Sequence, residues 1–448
     1  MAHPHAERAL AHFDKLFPVQ DENSSSAQSL SNDLPFHHNG MDVGEPSELS
    51  HTDDTAKLHI SMAGDSDDDK PARQHIQVPF LLPCNSENVY PQNRAAEFQR
   101  ICAALKKEAA FSGENVAVVH GDSLALLSKM PSASVDLILT DPPYHSTKKQ
   151  NIYGDADFAH DDEYRDWVKE YAKEFCRVLK PNGSLYLFCS SDMAPFLYVD
   201  MSGSMNMHGI ITWTKPNEPG YDGWKQKMKK TSLRRWYPHT ERIIFCSPAC
   251  HGNLKRSPFG LFLKDCRVQA GLSSNRLTEL IGAYGKVNNG GAVSNWETGR
   301  NIPSRDQYAK ICKAICDTGC VTLMPAYEDV IRAFNIDPSM PFIDAWDFMN
   351  VRQYKGKHPA EKPQDMLDHI IRTSSYEGDV VLDCFAGSGS TLLSAMACNR
   401  RSIGIEIEDK WVDYAIGRIK KAGRNSIRDE QKVLDESDRK GTLPLFAI

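Results

Sequence analysis

Val135-Asp136-Leu137-Ile138-Leu139-Thr140-Asp141-Pro142-Pro143-Tyr144 decides how this chain is read. Its first six residues form an apolar run of strand length, rich in Val, Ile and Leu, and read as a buried strand. The tetrapeptide Asp141 to Tyr144 then sits at the strand's carboxyl end, where open α/β sheets bind ligands. Pro142 and Pro143 fix φ and remove two backbone donors, and Pro142 restricts Asp141 to extended geometry. What remains is an array of acceptors. The Asp141 carboxylate and the Pro142 carbonyl suit the two N–H groups of an exocyclic amine, and Tyr144 offers a flat face for a base. Taken alone, the same four residues also read as a Pro-rich turn after any strand.

Before this stretch, Ala95 to Ala109 reads as a helix and Val116 to His120 as a strand ending in Gly121-Asp122. Asp122 either accepts from an adenine amine or caps the next helix. After it, His145 to His160 is polar and reads as a lid over substrate. Tyr164 to Leu179 has helical periodicity, Lys180-Pro181-Asn182-Gly183 is turn chemistry, and Ser184 to Cys189 is a strand. Strand, helix, turn and strand make a parallel βαβ unit. Ile210 to Trp213 and Glu241 to Cys246 read as two further strands.

Between those two strands, Lys225, Lys227, Lys229, Lys230, Arg234 and Arg235 face a single acid, Asp222, within residues 221–240. This basic run reads either as a set of phosphate contacts or as a solvated loop. The overall charge of −7 does not oppose the first reading. Residues 1–78 hold 5 Lys/Arg against 14 Asp/Glu, a net −9, so the other residues sum to +2. That acidic segment, with Asp65-Ser66-Asp67-Asp68-Asp69 and little apolar periodicity, is expected to be disordered.

Residues 249–345 interrupt the α/β rhythm with helices: Arg276 to Ala283, Ala292 to Thr298 and Tyr308 to Ile315. Helix, turn and helix is an arrangement that places its second helix in a DNA groove. Ser294 to Ser304, with Asn295 and Arg300, resembles the recognition helix and exit turn of Cro-like and phage-repressor-like helix-turn-helix domains. The turn here, Lys286 to Gly290, is longer and richer in Gly than that family's. A helical packing subdomain is the alternative.

Val380-Val381-Leu382-Asp383-Cys384-Phe385-Ala386-Gly387-Ser388-Gly389-Ser390-Thr391 is a buried strand running into a Gly-rich turn and a helix, Leu392 to Cys398. Glycines let the backbone approach a ligand, and a helix N-terminus favours an anion. The next strand ends in Glu406, at the spacing expected for a carboxylate on ribose hydroxyls. No Lys stands beside the turn as in a phosphate loop, so a nucleoside-containing cofactor fits better.

The remaining features exclude rather than assign. No 18-residue apolar run and no charged-then-apolar N-terminus is present, so neither a membrane span nor a secretory signal is expected, and a cytoplasmic protein is expected by default. The twelve cysteines lack framework spacing and read as reduced thiols. Cys312, Cys316 and Cys320, or Cys246, Cys250 and His251, do not complete a four-ligand zinc site, so no metal is expected. No nuclease motif is evident.

Together the pieces resemble the β class of amino-methylating DNA methyltransferases, which use S-adenosylmethionine. The resemblance covers most of 115–420. It rests on Asp141-Pro142-Pro143-Tyr144, on His358-Pro359-Ala360-Glu361-Lys362-Pro363, on Asp383 to Gly389, and on their order, with the catalytic tetrapeptide first and the cofactor turn last. It implies an α/β fold, a circularly permuted Rossmann-like methyltransferase sheet with a mainly helical inserted target-recognition domain. Phe385, Gly387 and Gly389 would line the methionine end of the cofactor, Lys362 its carboxylate, Glu406 its ribose and Asp122 its adenine; Asp141, Asp383 and Ser388 complete the cofactor set. Asp141 and Pro142, with Pro143, would bind the target amine, and Tyr144 would stack on the flipped base. Asp at position 141 leans towards adenine N6 over cytosine N4. Ala360 and Cys384 depart from the Thr and Pro common there.

The expected organisation is an acidic tail 1–78, a catalytic half 79–248, a helical insert 249–345, a cofactor half 346–425 and a C-terminal tail 426–448. The partner implied is double-stranded DNA, and the resemblance also implies a homodimer. The alternatives are cytosine-N4 methylation, or a DNA-binding regulator with little catalytic activity.

Overall fold

The computed structural model describes residues 94–145, 158–216, 229–234, 236, 239–248, 258–283, 291–352 and 354–440, all within one compact unit, residues 74–448. Lys225, Lys227, Arg235, most of the expected lid, the turn 286–290 and the acidic tail lie outside the described residues.

The chain opens with α1 (Arg94–Ala104), β1 (Ala109–Ser112), β2 (Val116–His120), α2 (Ser123–Leu127) and β3 (Val135–Thr140). It continues through α3 (Asp161–Val178), β4 (Leu179–Cys189), α4 (Ala194–Met201), β5 (Met205–Trp213) and β6 (Glu241–Pro248). A helical stretch follows: α5 (Pro258–Gln269), α6 (Ser274–Leu280), α7 (Gly291–Glu297), α8 (Arg305–Cys316) and the one-turn α9 (Tyr327–Val330). The chain then returns to the sheet with β7 (Ala345–Trp346), α10 (Gln364–Ser374), β8 (Val380–Asp383), α11 (Ser390–Ala397), β9 (Arg401–Glu406) and α12 (Asp409–Lys440). The last helix runs past residue 425, where a tail is expected to begin. The expected helix from Ala95 ends at Ala104 instead, and Ala109 opens a strand.

The nine strands form one mixed sheet in the order β1-β2-β9-β8-β3-β4-β6-β5-β7. From β2 to β4 neighbours run parallel, and β6 runs antiparallel to both β4 and β5. Strand side chains alternate between two cores. Ala117, Val119, Leu185 and Leu187 pack with α1, α3 and α4 on one face. On the other, Leu137, Leu139, Tyr186 and Phe188 pack with α10, and Val116 and Val118 with Leu392, Val412 and Ile419. The helices are cut to match. In α3, Tyr164, Val168, Tyr171, Phe175 and Val178 recur every three or four residues as one buried stripe. Each side chain of that size, fully buried, contributes about 1.5–3 kcal/mol.

Lys180 to Gly183 does not form a turn. It bulges within β4, since Val135 pairs with Leu179 while Leu137 already pairs with Ser184. The buried Lys180 Nζ meets Asp136 Oδ1 at 2.8 Å, which ties the bulge to β3. A Cβ at Gly183 would sit 2.9 Å from the Lys180 carbonyl oxygen, so the bulge tolerates only glycine there.

The inserted helices have their own core of Phe259, Leu263, Leu277, Val293, Trp296, Tyr308 and Ile311. They are fastened to β4 by Asn182 Nδ2 donating to the Glu328 carbonyl at 3.1 Å, and to α1 by Arg94, 3.9 Å from Asp329. No helix among the described residues is long and apolar enough to cross a membrane.

Candidate active site

After β3 the chain crosses to β4 on one side, and after β8 to β9 on the other, although β3 and β8 are neighbours. Their carboxyl ends therefore flank the crevice at which open α/β sheets bind ligands. Asp141 leaves β3 there and Asp383 ends β8. The two turns are joined at their root, where Thr140 Oγ1 donates to Asp383 Oδ1 at 3.0 Å and accepts from the Cys384 amide at 3.1 Å.

Around the tetrapeptide, Tyr144 Oη donates to Asp141 Oδ1 at 2.7 Å. Lys362 Nζ donates to Asp141 Oδ2. Tyr164 Oη donates to the Pro143 carbonyl at 3.1 Å and so fixes the loop on α3. Lys362 is buried over the Phe188 ring, 4.9 Å from its centroid. Two groups without a role in the sequence reading complete the cluster. Glu241 Oε2 lies 3.4 Å from Tyr144 Oη and 3.8 Å from Lys362 Nζ, while Lys215 Nζ donates to Glu241 Oε1. Burial, and then the Glu241 charge, pushes the Asp141 carboxyl up against the pull of Lys362. Glu241 is also penalised by burial, but Lys362 and Lys215 together hold it below its ordinary value. Burial acts to lower Lys362, and the two carboxylates outweigh it and keep the amine charged.

At the second turn, Gly387 and Gly389 adopt φ of 47° and 73°, the left-handed region that side chains disfavour. Asp383 Oδ1 also accepts from the Phe385 amide at 3.1 Å, and burial pushes its carboxyl up to about 6. Ser388 Oγ pairs with Ser390 Oγ at 2.9 Å, and Arg418 Nη1 donates to the Ser388 carbonyl at 2.9 Å. Phe385 joins an aromatic wall, 5.8 Å from Trp167 and 5.4 Å from Tyr171 between centroids.

Glu406 Oε1 accepts from the amides of Ile407 and Glu408, and Oε2 from that of Gly387 at 2.7 Å. Three of about four acceptor sites are used, which leaves one for a hydroxyl. Asp122 takes the capping role, its Oδ1 accepting from the Ala125 amide at 2.8 Å. It nevertheless lies just past the end of the strand beside β9, since β2 stops at His120, which pairs with Glu406. The crevice thus gathers Asp122, Asp141, Lys362, Asp383, Phe385, Gly387, Ser388, Gly389 and Glu406. It brings together buried carboxylates, one ammonium held on Asp141 and an aromatic wall.

His358 packs beside this turn, 4.3 Å from the Trp411 ring between centroids, with the position of a Gly387 Cβ 3.0 Å from its ring. Burial, then Lys362, Lys410 and Lys357, push its imidazole down to about 4. The fold therefore favours the neutral ring. Above pH 6.5 nothing is lost; between about 6.5 and 4 the unfolded chain takes up the proton first, and stability falls by up to about 3 kcal/mol. His358→Gln is expected to flatten that part of the melting temperature's pH profile, with little change above pH 7.

Among the described residues, the DNA-contact candidates make no hydrogen bond or ion pair with the crevice. Lys229, Lys230 and Arg234 are exposed around a single 3-10 turn, Lys230–Ser232. In the helical insert Arg300 is exposed and Asn295 half-buried on α7, whose Trp296 is the core residue. Among the described residues no cluster of His, Cys, Asp and Glu could hold a metal ion. Burial holds the thiols of Cys189 and Cys384 protonated, so neither is a ready nucleophile.

Comparison with known proteins gives a consistent result. The chain is 28% identical over 327 residues to the DNA adenine methyltransferase YhdJ of Escherichia coli K12, covering 72% of this chain and 89% of that one. It is 23% identical over 351 residues to the type II methyltransferase M.HindIII of Haemophilus influenzae, covering 70% and 98%. Among solved structures, that of the M1.HpyAVI–SAM complex aligns with 68% of this chain and 98% of its own, at a TM-score of 0.39 and 18% identity. A family model described as DNA methylase matches residues 135–417, from the first residue of β3 into α12 and so across both turns of the crevice. Because that match takes in more than half of the sequence, the chain belongs to the DNA methylase family.

Proposed function

We propose that this chain is a β-class, permuted-order methyltransferase that uses S-adenosylmethionine to methylate adenine N6 in double-stranded DNA. The observation that carries the reading is the crevice itself, in which an acceptor loop and a glycine turn from adjacent strands are joined through Thr140 and Asp383. The name of the relative YhdJ, a DNA adenine methyltransferase, supports adenine as the base.

When bound, S-adenosylmethionine supplies a methyl group on a positively charged sulfur. Phe385, Gly387, Ser388 and Gly389 would hold its amino-acid end with Asp383 and Lys362, and Glu406 and Asp122 its nucleoside. What the chain adds is control of the amine. The lone pair of an adenine amine is delocalised into the ring. Acceptance of its two N–H bonds by the Asp141 carboxylate and the Pro142 carbonyl favours the nitrogen as it gains positive charge. Tyr144, held by Asp141, offers its face to the extruded base and offsets part of the unstacking cost.

The insert from α5 to α9 is the reader of sequence in this proposal, with α7 as its recognition helix, and the basic run pairs with phosphates. Changing Lys229, Lys230, Arg234 and Arg235 to Glu is expected to weaken DNA binding and flatten its dependence on log salt, by about 0.9 for each phosphate that is no longer neutralised. An unchanged slope in a filter-binding titration would remove the run from the interface. A homodimer, and a place beside the nucleoid, belong to the same reading.

The reaction is tested by incubating the purified chain with methyl-labelled S-adenosylmethionine and unmethylated genomic DNA, then digesting to nucleosides. Label in N6-methyldeoxyadenosine is expected. Label in N4-methyldeoxycytidine would keep the site and change the base, and no label in DNA with cofactor binding intact would end the proposal.

A further inference from the structure

Lys215, Glu241, Lys362 and Asp141 form a row of alternating charge across the mouth of the crevice. Lys362 stands between two carboxylates and touches both. It is hydrogen-bonded to Asp141 Oδ2 and lies 3.8 Å from Glu241 Oε2. With Tyr144 on Oδ1, each oxygen of Asp141 already has a partner, and one of those partners is a full charge. An amine that needs this carboxylate must therefore compete with Lys362.

We infer that Glu241 is a positioning residue that receives Lys362 as it leaves Asp141, so that two carboxylates of the chain, competing for one ammonium that the bound cofactor's carboxylate also draws, set how readily the amine site opens. The inference rests on the methyl-transfer reading above. Its physical basis is the cost of the alternative. An ammonium buried on Phe188 cannot give up its carboxylate for nothing, because an uncompensated buried charge costs several kcal/mol. Glu241 Oε2 removes that penalty at roughly an ångström of movement, the difference between the present separation and a charged hydrogen bond. Lys215 sits on the other oxygen, Oε1, and leaves the receiving one with only the long contact of Tyr144 Oη at 3.4 Å. Its charge still weakens the hold of Glu241 on a second ammonium. Glu241 therefore opens the amine site, and Lys215 opposes that opening.

The two residues carry opposite signs, which a merely structural role would not produce. The experiment measures binding of the chain, saturated with S-adenosylhomocysteine, to two duplexes containing its mapped target. One carries the target adenine, and the other carries purine, which lacks the amine. The ratio of affinities isolates recognition of the amine. Glu241→Gln is expected to lower that ratio at least about fivefold, the lower end of ordinary coupling between sites. Lys215→Met is expected to raise it, and in a Lys362→Met background neither change should move it.

A ratio that falls in both single variants, or a Glu241→Gln effect that persists without Lys362, would overturn the inference. Should Glu241→Gln fail to fold, Lys215→Met decides the sign alone. If the unaltered chain puts no label into DNA, the parent reading fails and takes this inference with it. If it labels adenine but the signs agree, the inference alone falls.

Discussion

Replacement of Asp141 by Ala is expected to lower methyl transfer by about a thousandfold while S-adenosylhomocysteine affinity changes less than about threefold. The magnitude is that of removing one preorganised group aimed at developing charge, about 10²–10³ in rate, with loss of a positioned acceptor added. The asymmetry comes from the geometry. Asp141 follows β3 and spends its two oxygens on Tyr144 and Lys362 rather than on the glycine turn that follows β8, and the link between the turns runs through Thr140 and Asp383, which the substitution leaves in place. Lys362 also keeps a carboxylate, because Glu241 Oε2 is 3.8 Å from its ammonium. Single-turnover methylation and calorimetry on one preparation check the two halves. Turnover within tenfold of the parent would remove Asp141 from the chemistry, and lost cofactor binding would make it structural.

The sheet was legible because its strands are buried on both faces, so Val135 to Thr140, Ser184 to Cys189 and Val380 to Asp383 are apolar runs that polar connections interrupt. Local chemistry misled at Lys180 to Gly183, where Pro, Asn and Gly read as a turn. A buried lysine that finds Asp136 on the neighbouring strand turns the same residues into a bulge. Asp122 had two readings, and the helix took one carboxylate oxygen.

Lys362 and Glu241 show what sequence could not give. Lys362 stands out through its motif, yet its partner in this structure is Asp141, more than two hundred residues earlier in the chain. Glu241 was visible only as the first residue of a strand. Its place at the crevice depends on β6 running antiparallel beside β4, with Arg242 opposite Cys189, which brings the start of one strand level with the ends of the others. No local pattern encodes that direction. A charged residue at the mouth of an apolar strand was the one available signal, and it became informative only once the neighbour of that strand was known.

The second large effect is expected from Gly260 in the helical insert. An added Cβ there would lie 2.5 Å from the Glu297 carbonyl oxygen and 2.8 Å from that of Trp296, both backbone atoms at the end of α7. Neither can rotate away, so Gly260→Val must push α7 off α5. Trp296 is wholly buried in the core between these helices, and loss of packing around such a side chain costs about 3–5 kcal/mol. The ion pair of Arg267 with Glu297 spans the same interface and would part as well. The sheet has separate cores on its two faces, and the crevice draws no side chain from α5 to α8. The variant is therefore expected to bind S-adenosylhomocysteine like the parent and to retain the melting transition of the sheet. On the proposal that α7 is the recognition helix, its preference for the mapped target over other sites should fall at least about tenfold, because α7 loses its fixed position. Methylation of target and scrambled duplexes, read beside calorimetry, separates the outcomes. Intact preference in a folded Gly260→Val chain would mean that sequence is read elsewhere and that the insert only packs. Preference and cofactor binding lost together would mean that the helices brace the sheet.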